Sequence, residues 1–128
     1  TEAVRRVLLG FWQQPDPALL DRFHADLKAL AKRPTFTPGN CTALGSVLLM
    51  SRDLAEYPPY RPTPVQKATQ LLAAPSPGGS PAERYENLLA LCDEVLERAA
   101  DVGIELEDRL DAQGLIWAVV KCLSRPGT

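Results

Sequence analysis

The chain has 128 residues, of which 45% are apolar and 23% charged, as is usual for one globular domain with its own hydrophobic core. It contains no apolar run near the roughly 20 residues that a membrane-spanning helix needs, and its charged N-terminus is unlike a signal peptide. We therefore predict a single cytoplasmic domain over residues 1–128 without membrane contact. Because the chain begins with threonine instead of methionine, we expect it to be a domain excised from a larger protein or a chain with a processed start.

The net charge of −2 is unevenly distributed along the chain. Residues 1–70 carry nine Lys/Arg and six Asp/Glu, a balance of +3, whereas residues 71–128 carry five and ten, a balance of −5. Attraction of nucleic acid to the whole surface is therefore excluded, but a local basic patch in the first half is compatible with this balance. The positive half suits DNA, and the negative half suits a protein partner.

Capping residues mark the predicted helix starts. In four places a residue whose side chain can cap a helix precedes a proline, which fits the first helical position because no N–H is needed there. The four pairs are Asp16-Pro17, Thr37-Pro38, Thr63-Pro64 and Ser80-Pro81. Gln66 and Glu83 complete a capping-box pattern with Thr63 and Ser80. Asp108 is predicted to cap the last helix, and Gly103 is predicted to end the helix before it.

Apolar residues recur with the period of a helix, and no segment alternates as a half-buried strand does. The longest stripe belongs to a helix predicted for residues 81–102. We predict an all-α fold, a single compact bundle of about six helices. Residues 109–123 are apolar almost all round, which is typical of a central, buried helix, and Gly114 is predicted to mark a close helix crossing.

Two stretches interrupt the helices. Residues 57–64 hold four prolines, which favour an extended, polyproline-like path, and residues 74–81 are predicted to form a surface loop. Residues 59–62 match the P-x-x-P pattern that polyproline-binding domains recognise, so the proline-rich loop is one candidate for protein binding, with Arg61 as a contact. The alternative is a structural role, in which Tyr57 and Tyr60 pack the loop onto the helices with their hydroxyl groups at the surface.

Few residues suit catalysis or metal binding. His24 is the single histidine, and the sequence pairs no serine or cysteine with it. The chain has an odd number of cysteines, and the three are widely spaced, which favours reduced thiols: Cys41, Cys92 and Cys122. Cys41 near a helix N-terminus is more simply a small buried residue than a reactive thiol, and helix capping explains the carboxylates of residues 105–111. We therefore predict a domain that is not an enzyme and that holds no metal or cofactor.

The most specific functional signal is Pro38-Gly39-Asn40-Cys41-Thr42-Ala43. It resembles the P-G-x-x-T-A stretch of helix-hairpin-helix DNA-binding motifs, in which a glycine turn and a helix N-terminus present backbone N–H groups to a phosphate. The motif's usual second glycine is replaced by Cys41, so an ordinary capped helix is the alternative explanation. The predicted nucleic-acid-binding residues are three basic side chains and four residues of the turn: Lys28, Lys32, Arg33, Thr37, Gly39, Asn40 and Thr42.

The long helix supplies an alternative site for a protein partner. Its outer face carries four carboxylates at helical spacing, Glu86, Asp93, Glu97 and Asp101, which suit a basic partner. A solvated helix face accounts for the same row of charges without any partner.

Three stretches are similar to segments of a known family. Residues 48–50 (Leu-Leu-Met), 57–64 (Tyr-Pro-Pro-Tyr-Arg-Pro-Thr-Pro) and 108–117 (Asp-Arg-Leu-Asp-Ala-Gln-Gly-Leu-Ile-Trp) resemble the N-terminal helical regions of some McrB-like AAA+ ATPases. Those proteins belong to modification-dependent restriction and antiviral-defence systems. The resemblance covers about residues 40–123 and implies a non-catalytic module that recognises DNA or a partner, with the motor and nuclease in other domains or subunits. The chain has no G-x-x-x-x-G-K-[ST] loop, so any ATPase activity would lie outside it.

Overall fold

The computed structural model describes residues 2–30, 37–71 and 79–123, so most of the predicted loop at residues 74–81 lies outside the described residues. The described part contains six α-helices and no strand, which confirms the predicted all-α bundle. The helices are α1 (Glu2–Gln13), α2 (Leu20–Leu30), α3 (Pro38–Met50), α4 (Pro62–Leu71), α5 (Pro81–Asp101) and α6 (Arg109–Leu123). A short 3-10 helix, Pro17–Leu19, leads into α2. Within these ranges no helix combines the length and the apolar character needed to cross a bilayer.

Three of the four predicted proline-marked helix starts are confirmed. Asp16, Thr37 and Ser80 each accept a hydrogen bond from a backbone N–H two or three residues ahead, at 2.9, 3.1 and 3.3 Å respectively. In each case the proline that follows occupies the first turn. Since the N–H groups of a first turn have no intrahelical acceptor, such caps typically stabilise a helix by about 1 kcal/mol.

The fourth predicted start is displaced. α4 begins at Pro62, so Thr63 lies inside the first turn instead of capping it, and the predicted capping box of Thr63 and Gln66 is wrong. Both Pro62 and Pro64 fit this turn because the N–H groups that prolines lack would have found no intrahelical acceptor. The extended part of the proline-rich stretch is therefore limited to residues 57–61, which we call the proline segment.

In the connection between α5 and α6, Gly103 ends the first helix and Asp108 caps the second, as the sequence predicts. Gly103 has a positive φ of 80°, and the N–H groups of residues 103 and 104 bond back to carbonyls in the last turn of α5. This is the Schellman arrangement, which favours glycine. Asp108 then accepts from the Asp111 N–H (3.0 Å), and the Asp111 carboxylate accepts from the Glu107 N–H (2.9 Å). These two carboxylates therefore act as a reciprocal cap of α6.

The centre of the bundle is α5 and not α6. α5 packs against α2, α3 and α6, and its residues Tyr85, Leu88 and Cys92 are at most 2% exposed. α6 packs mainly on α4 and α5 and leaves Val119 and Leu123 43% and 61% exposed. The predicted burial of residues 109–123 is confirmed for the side of the helix that holds Ala112, Gln113, Ile116 and Val120, whereas their predicted central position is wrong. One side of this apolar helix is buried, and the other side leaves large apolar residues in contact with water.

A tight helix crossing lies in α3, where the sequence does not predict one. A Cβ on Gly45 would overlap the fully buried Leu20 side chain, so α3 approaches the start of α2 closely because residue 45 has no side chain. A Cβ on the exposed Gly114 would meet no described atom within 4 Å. The predicted crossing at Gly114 is therefore wrong.

The proline segment packs into the bundle. Pro58 and Tyr60 are buried, whereas Tyr57 is half-buried. The prediction that the two tyrosines pack this segment onto the helices is confirmed, and Tyr60 as a whole is only 3% exposed. Within the P-x-x-P match Tyr60 is buried and Pro59 is half-buried, so packing accounts for these two residues, whereas Arg61 and Pro62 are exposed.

Side chains from three helices hold the backbone of the proline segment. Ser46 Oγ on α3 accepts from the Tyr60 N–H at 2.8 Å. The Tyr85 hydroxyl on α5 donates to the carbonyl of residue 58 at 2.8 Å, and Gln113 Nε2 on α6 donates to the carbonyl of residue 59. All three side chains are buried, and the bonds at residues 58 and 60 satisfy buried backbone groups. They fix the direction in which the chain enters α4.

Candidate nucleic-acid interface

The predicted phosphate-binding turn is the N-terminus of α3. Thr37 and Asn40 are exposed and Gly39 is half-buried, so this end of the helix faces solvent. However, Pro38 has no N–H, and the Asn40 N–H is directed to the Thr37 hydroxyl. The first turn therefore has fewer N–H groups directed at solvent than a helix N-terminus without a proline and a capping side chain.

Thr42 does not lie at this surface. The residue is 0% exposed, and its hydroxyl lies 2.8 Å from the carbonyl of Pro38 and 3.3 Å from that of Pro81. Because Pro81 opens α5, Thr42 joins the starts of two helices. Its prediction as a nucleic-acid-binding residue is wrong, and packing explains the threonine.

The basic residues predicted beside the turn are only partly placed. Lys28 is exposed in the last turn of α2, which packs against α3. Lys32 and Arg33 lie outside the described residues. The turn itself adjoins α4, since a Cβ on Gly39 would lie 3.7 Å from the ring of Pro62. The N-terminus of α3 and the N-terminus of α4 therefore form one continuous surface.

A basic groove opens on that surface, between the first turns of α4 and the second half of α6. It has a volume of about 460 Å³, and we call it the Trp117 groove. One aromatic residue, three basic residues and three smaller residues line it: Trp117, Arg61, Lys67, Lys121, Thr63, Pro64 and Val120. The three basic residues are exposed, and no Asp or Glu is among these lining residues.

The positive charge of the Trp117 groove is not neutralised within the described part of the chain. There, none of Arg61, Lys67 and Lys121 forms an ion pair, whereas other surface arginines do, as the pairing of Arg98 with a carboxylate on α5 shows. The Arg61 guanidinium lies 5.5 Å from the centre of the Trp117 ring, within the range of a cation–π interaction. The groove thus combines accessible positive charge with an aromatic ring.

One of the four carboxylates on the acidic face of α5, the predicted site for a protein partner, forms contacts within the bundle. Glu86, Glu97 and Asp101 are exposed. Asp93 is exposed as well, but it accepts two hydrogen bonds from Arg109, at 2.8 and 3.0 Å, and these bonds and the charge of Arg109 lower the pKa of the Asp93 carboxyl. Asp93 therefore joins α5 to α6, and Arg61, the other predicted partner contact, lies in the Trp117 groove.

The next residues to consider are Cys41 and His24, the candidates for catalysis in the sequence, and both are at least half-buried in the bundle. Cys41 is 0% exposed, and burial, assisted by the charge of Asp21, raises the pKa of its thiol to about 12, so the interpretation as a small buried residue is confirmed. His24 is half-buried on α2. In the described ranges no three His, Cys, Asp or Glu residues are grouped as metal ligands would be.

Arg61 is the one residue of the Trp117 groove that the sequence identifies as a contact. Trp117 and Lys121 lie one turn apart on α6, and Pro64 and Lys67 lie one turn apart on α4, so each pair can be recognised as one helix face. What the sequence does not reveal is that these two faces meet. Comparison of the chain with models of known families, with curated proteins and with solved structures finds no match.

Proposed function

We propose that this domain is a non-catalytic DNA-recognition module of a cytoplasmic restriction or antiviral-defence NTPase, whose motor lies in other domains or subunits. The observation that carries DNA binding is the Trp117 groove, in which three exposed basic side chains and no carboxylate surround an aromatic ring. The defence context is drawn from the resemblance of residues 40–123 to McrB-like ATPases.

Phosphate binding fits the charge of this groove. Lysine and arginine side chains that neutralise phosphates release condensed counterions, which favours binding at low salt. Since the whole chain has a net charge of −2, this attraction is local, and DNA must approach the groove rather than the acidic side of α5. Thr37 and Asn40 lie on the adjoining end of α3, where they extend the contact surface toward the backbone of the same DNA.

The test is a titration of labelled DNA, offered as a short duplex and as one of its strands, at several salt concentrations. The variant Lys67→Glu/Lys121→Glu should bind both forms more weakly than wild type. The slope of log affinity against log salt should become shallower by about 2, because each lost phosphate contact reduces it by about 1. A Lys32→Glu/Arg33→Glu variant measures the separate contribution of the predicted turn.

A matched control separates the groove from general electrostatics. Arg5→Glu/Arg6→Glu makes the same change in net charge on α1, which packs on α2 and α3 and whose arginine side chains are 71% and 81% exposed. This control should bind DNA almost as wild type does. If both double variants lose affinity equally, or if neither DNA form binds in a salt-dependent way, the proposal is wrong. The acidic face of α5 then becomes the next surface to test, with Glu86→Lys/Glu97→Lys.

A further inference from the structure

We infer that the Trp117 groove binds single-stranded DNA in preference to duplex, with an unpaired base stacked against the Trp117–Arg61 pair. This inference rests on the proposed function and assigns a type of strand to the same site.

The position of the indole favours an unpaired base. Trp117 is half-buried, and it packs against the hydrophobic core while it also lines the groove, so its ring is held in place and recessed. In a duplex each base is covered by its neighbours above and below, and the phosphates are the outermost groups. A recessed ring is therefore reached by a base of a single strand and not by a stacked base pair. Such base–aromatic stacking tolerates any sequence because every base has a π-face.

Arg61 extends the stacking surface. Its guanidinium is planar, lies 5.5 Å from the centre of the indole and is exposed at the end of the proline segment. Guanidinium groups stack on aromatic faces and also bind phosphates at two points. In the Trp117 groove one arginine can therefore contact both parts of a nucleotide, the base and the phosphate beside it.

The lysines define where the strand backbone runs. Lys67 belongs to α4 and Lys121 to α6, so the two ammonium groups reach the groove from different helices. Pro64 and Val120 add apolar surface to the groove. An aromatic ring with apolar walls and flanking cations is the composition of a platform for single strands, whereas a duplex backbone would use the cations alone.

The first experiment compares three ligands of equal length: a single strand, the matched duplex and a strand whose sugars carry no bases. The single strand should bind more tightly than the duplex. The abasic strand should lose affinity but keep the same salt slope, because its phosphates are unchanged.

The second experiment changes the ring. Trp117→Leu keeps apolar bulk against the core but removes the stacking surface, and it should weaken binding of the single strand by about 5- to 150-fold, the range of a base–aromatic stack. Trp117→Phe should recover part of the loss. Because Trp117 also packs in the bundle, a third measurement leaves it intact: in Trp12→Phe it is the one remaining tryptophan of the chain. The fluorescence of this variant should be quenched by the single strand and unaffected by the abasic strand.

The outcomes separate the two proposals. Equal affinity for all three ligands, or tryptophan fluorescence that stays unquenched when the single strand saturates the protein, overturns the single-strand inference. DNA binding through the basic groove would still stand if Lys67→Glu/Lys121→Glu abolished it. Absence of salt-dependent binding to any of the three ligands would contradict both.

Discussion

Tyr85 shows how one side chain can position a surface that it does not touch. The residue is 0% exposed on α5, and its hydroxyl donates to the carbonyl of Pro58 in the proline segment. Burial raises the pKa of this hydroxyl above its ordinary value, so it stays protonated as a donor. The proline segment ends at Arg61, whose guanidinium lies over Trp117. The bond at Tyr85 therefore helps to determine where the groove's arginine emerges.

Tyr85→Phe should lower the free energy of unfolding by about 1–3 kcal/mol, because it leaves a buried carbonyl without a donor. Urea unfolding at neutral pH measures the change. Tyr57→Phe is the matched control, since it removes the same hydroxyl from a half-buried residue, and its effect should stay within about 0.5 kcal/mol. Equal losses in the two variants would contradict the role assigned to the Tyr85 bond.

At the scale of helices, replacing either of two helical glycines with alanine should change the free energy of unfolding, with opposite signs at the two positions. Gly45→Ala places a methyl group against the buried Leu20, and overpacking of this kind typically costs about 1–3 kcal/mol, which equals or exceeds the roughly 1 kcal/mol that alanine gains in helix propensity. Gly114→Ala meets no described atom and should gain up to about 1 kcal/mol. Thermal and urea unfolding of the two variants check the signs. If Gly45→Ala were the more stable of the two, α3 and α2 would not cross as closely as described.

The helix boundaries that the sequence predicts correctly depend on local chemistry. Asp16, Thr37, Ser80 and Asp108 cap helices because each needs only a backbone N–H two or three residues away. The errors concern contacts between distant residues. An apolar helix such as α6 can lie at the centre or at an edge, and its composition is the same in both places. Likewise, the glycine at 45 differs from the one at 114 through the side chains of Leu20 and Phe23, which come from another helix.

The whole molecule should lose stability at alkaline pH. Burial raises the pKa of the thiols of Cys41 and Cys92 from the ordinary 9.0 to about 12. Between these values the unfolded chain releases protons that the folded chain retains, so the contribution is full below pH 9 and is lost as the pH rises toward 12. Each thiol adds a slope of about 1.4 kcal/mol per pH unit.

Urea unfolding across this pH range gives the slope directly. Cys41→Ala should make it shallower by the share of one thiol, whatever the variant does to stability at neutral pH. Stability that is constant or rises from pH 9 upward would show that the thiols are not shielded as the structure has them.

At the scale of the whole molecule, the sequence identifies single residues of the candidate site but does not predict which distant residues come together to form it. The sequence places positive charge in the first half of the chain and identifies Arg61, but Lys121 comes from the acidic half and Trp117 from a helix predicted to be central. The predicted turn at residues 37–42 is partly used by the fold, because Thr42 is buried against Pro81. Only the packing of α4 on α6 assembles the groove, and no local pattern encodes that packing.

The three hydrogen bonds that hold the proline segment also suggest when this segment docks during folding. Their side-chain partners lie 14, 27 and 54 positions away along the chain, on α3, α5 and α6. Because these partners lie on three different helices, we expect the segment to dock after the helices have come together, with bonds that are weak or absent in the transition state. Interactions that form this late slow unfolding while hardly affecting the folding rate. We therefore expect the bonds of the segment that carries Arg61 to slow unfolding, and so to lengthen the time for which the folded state and the groove persist.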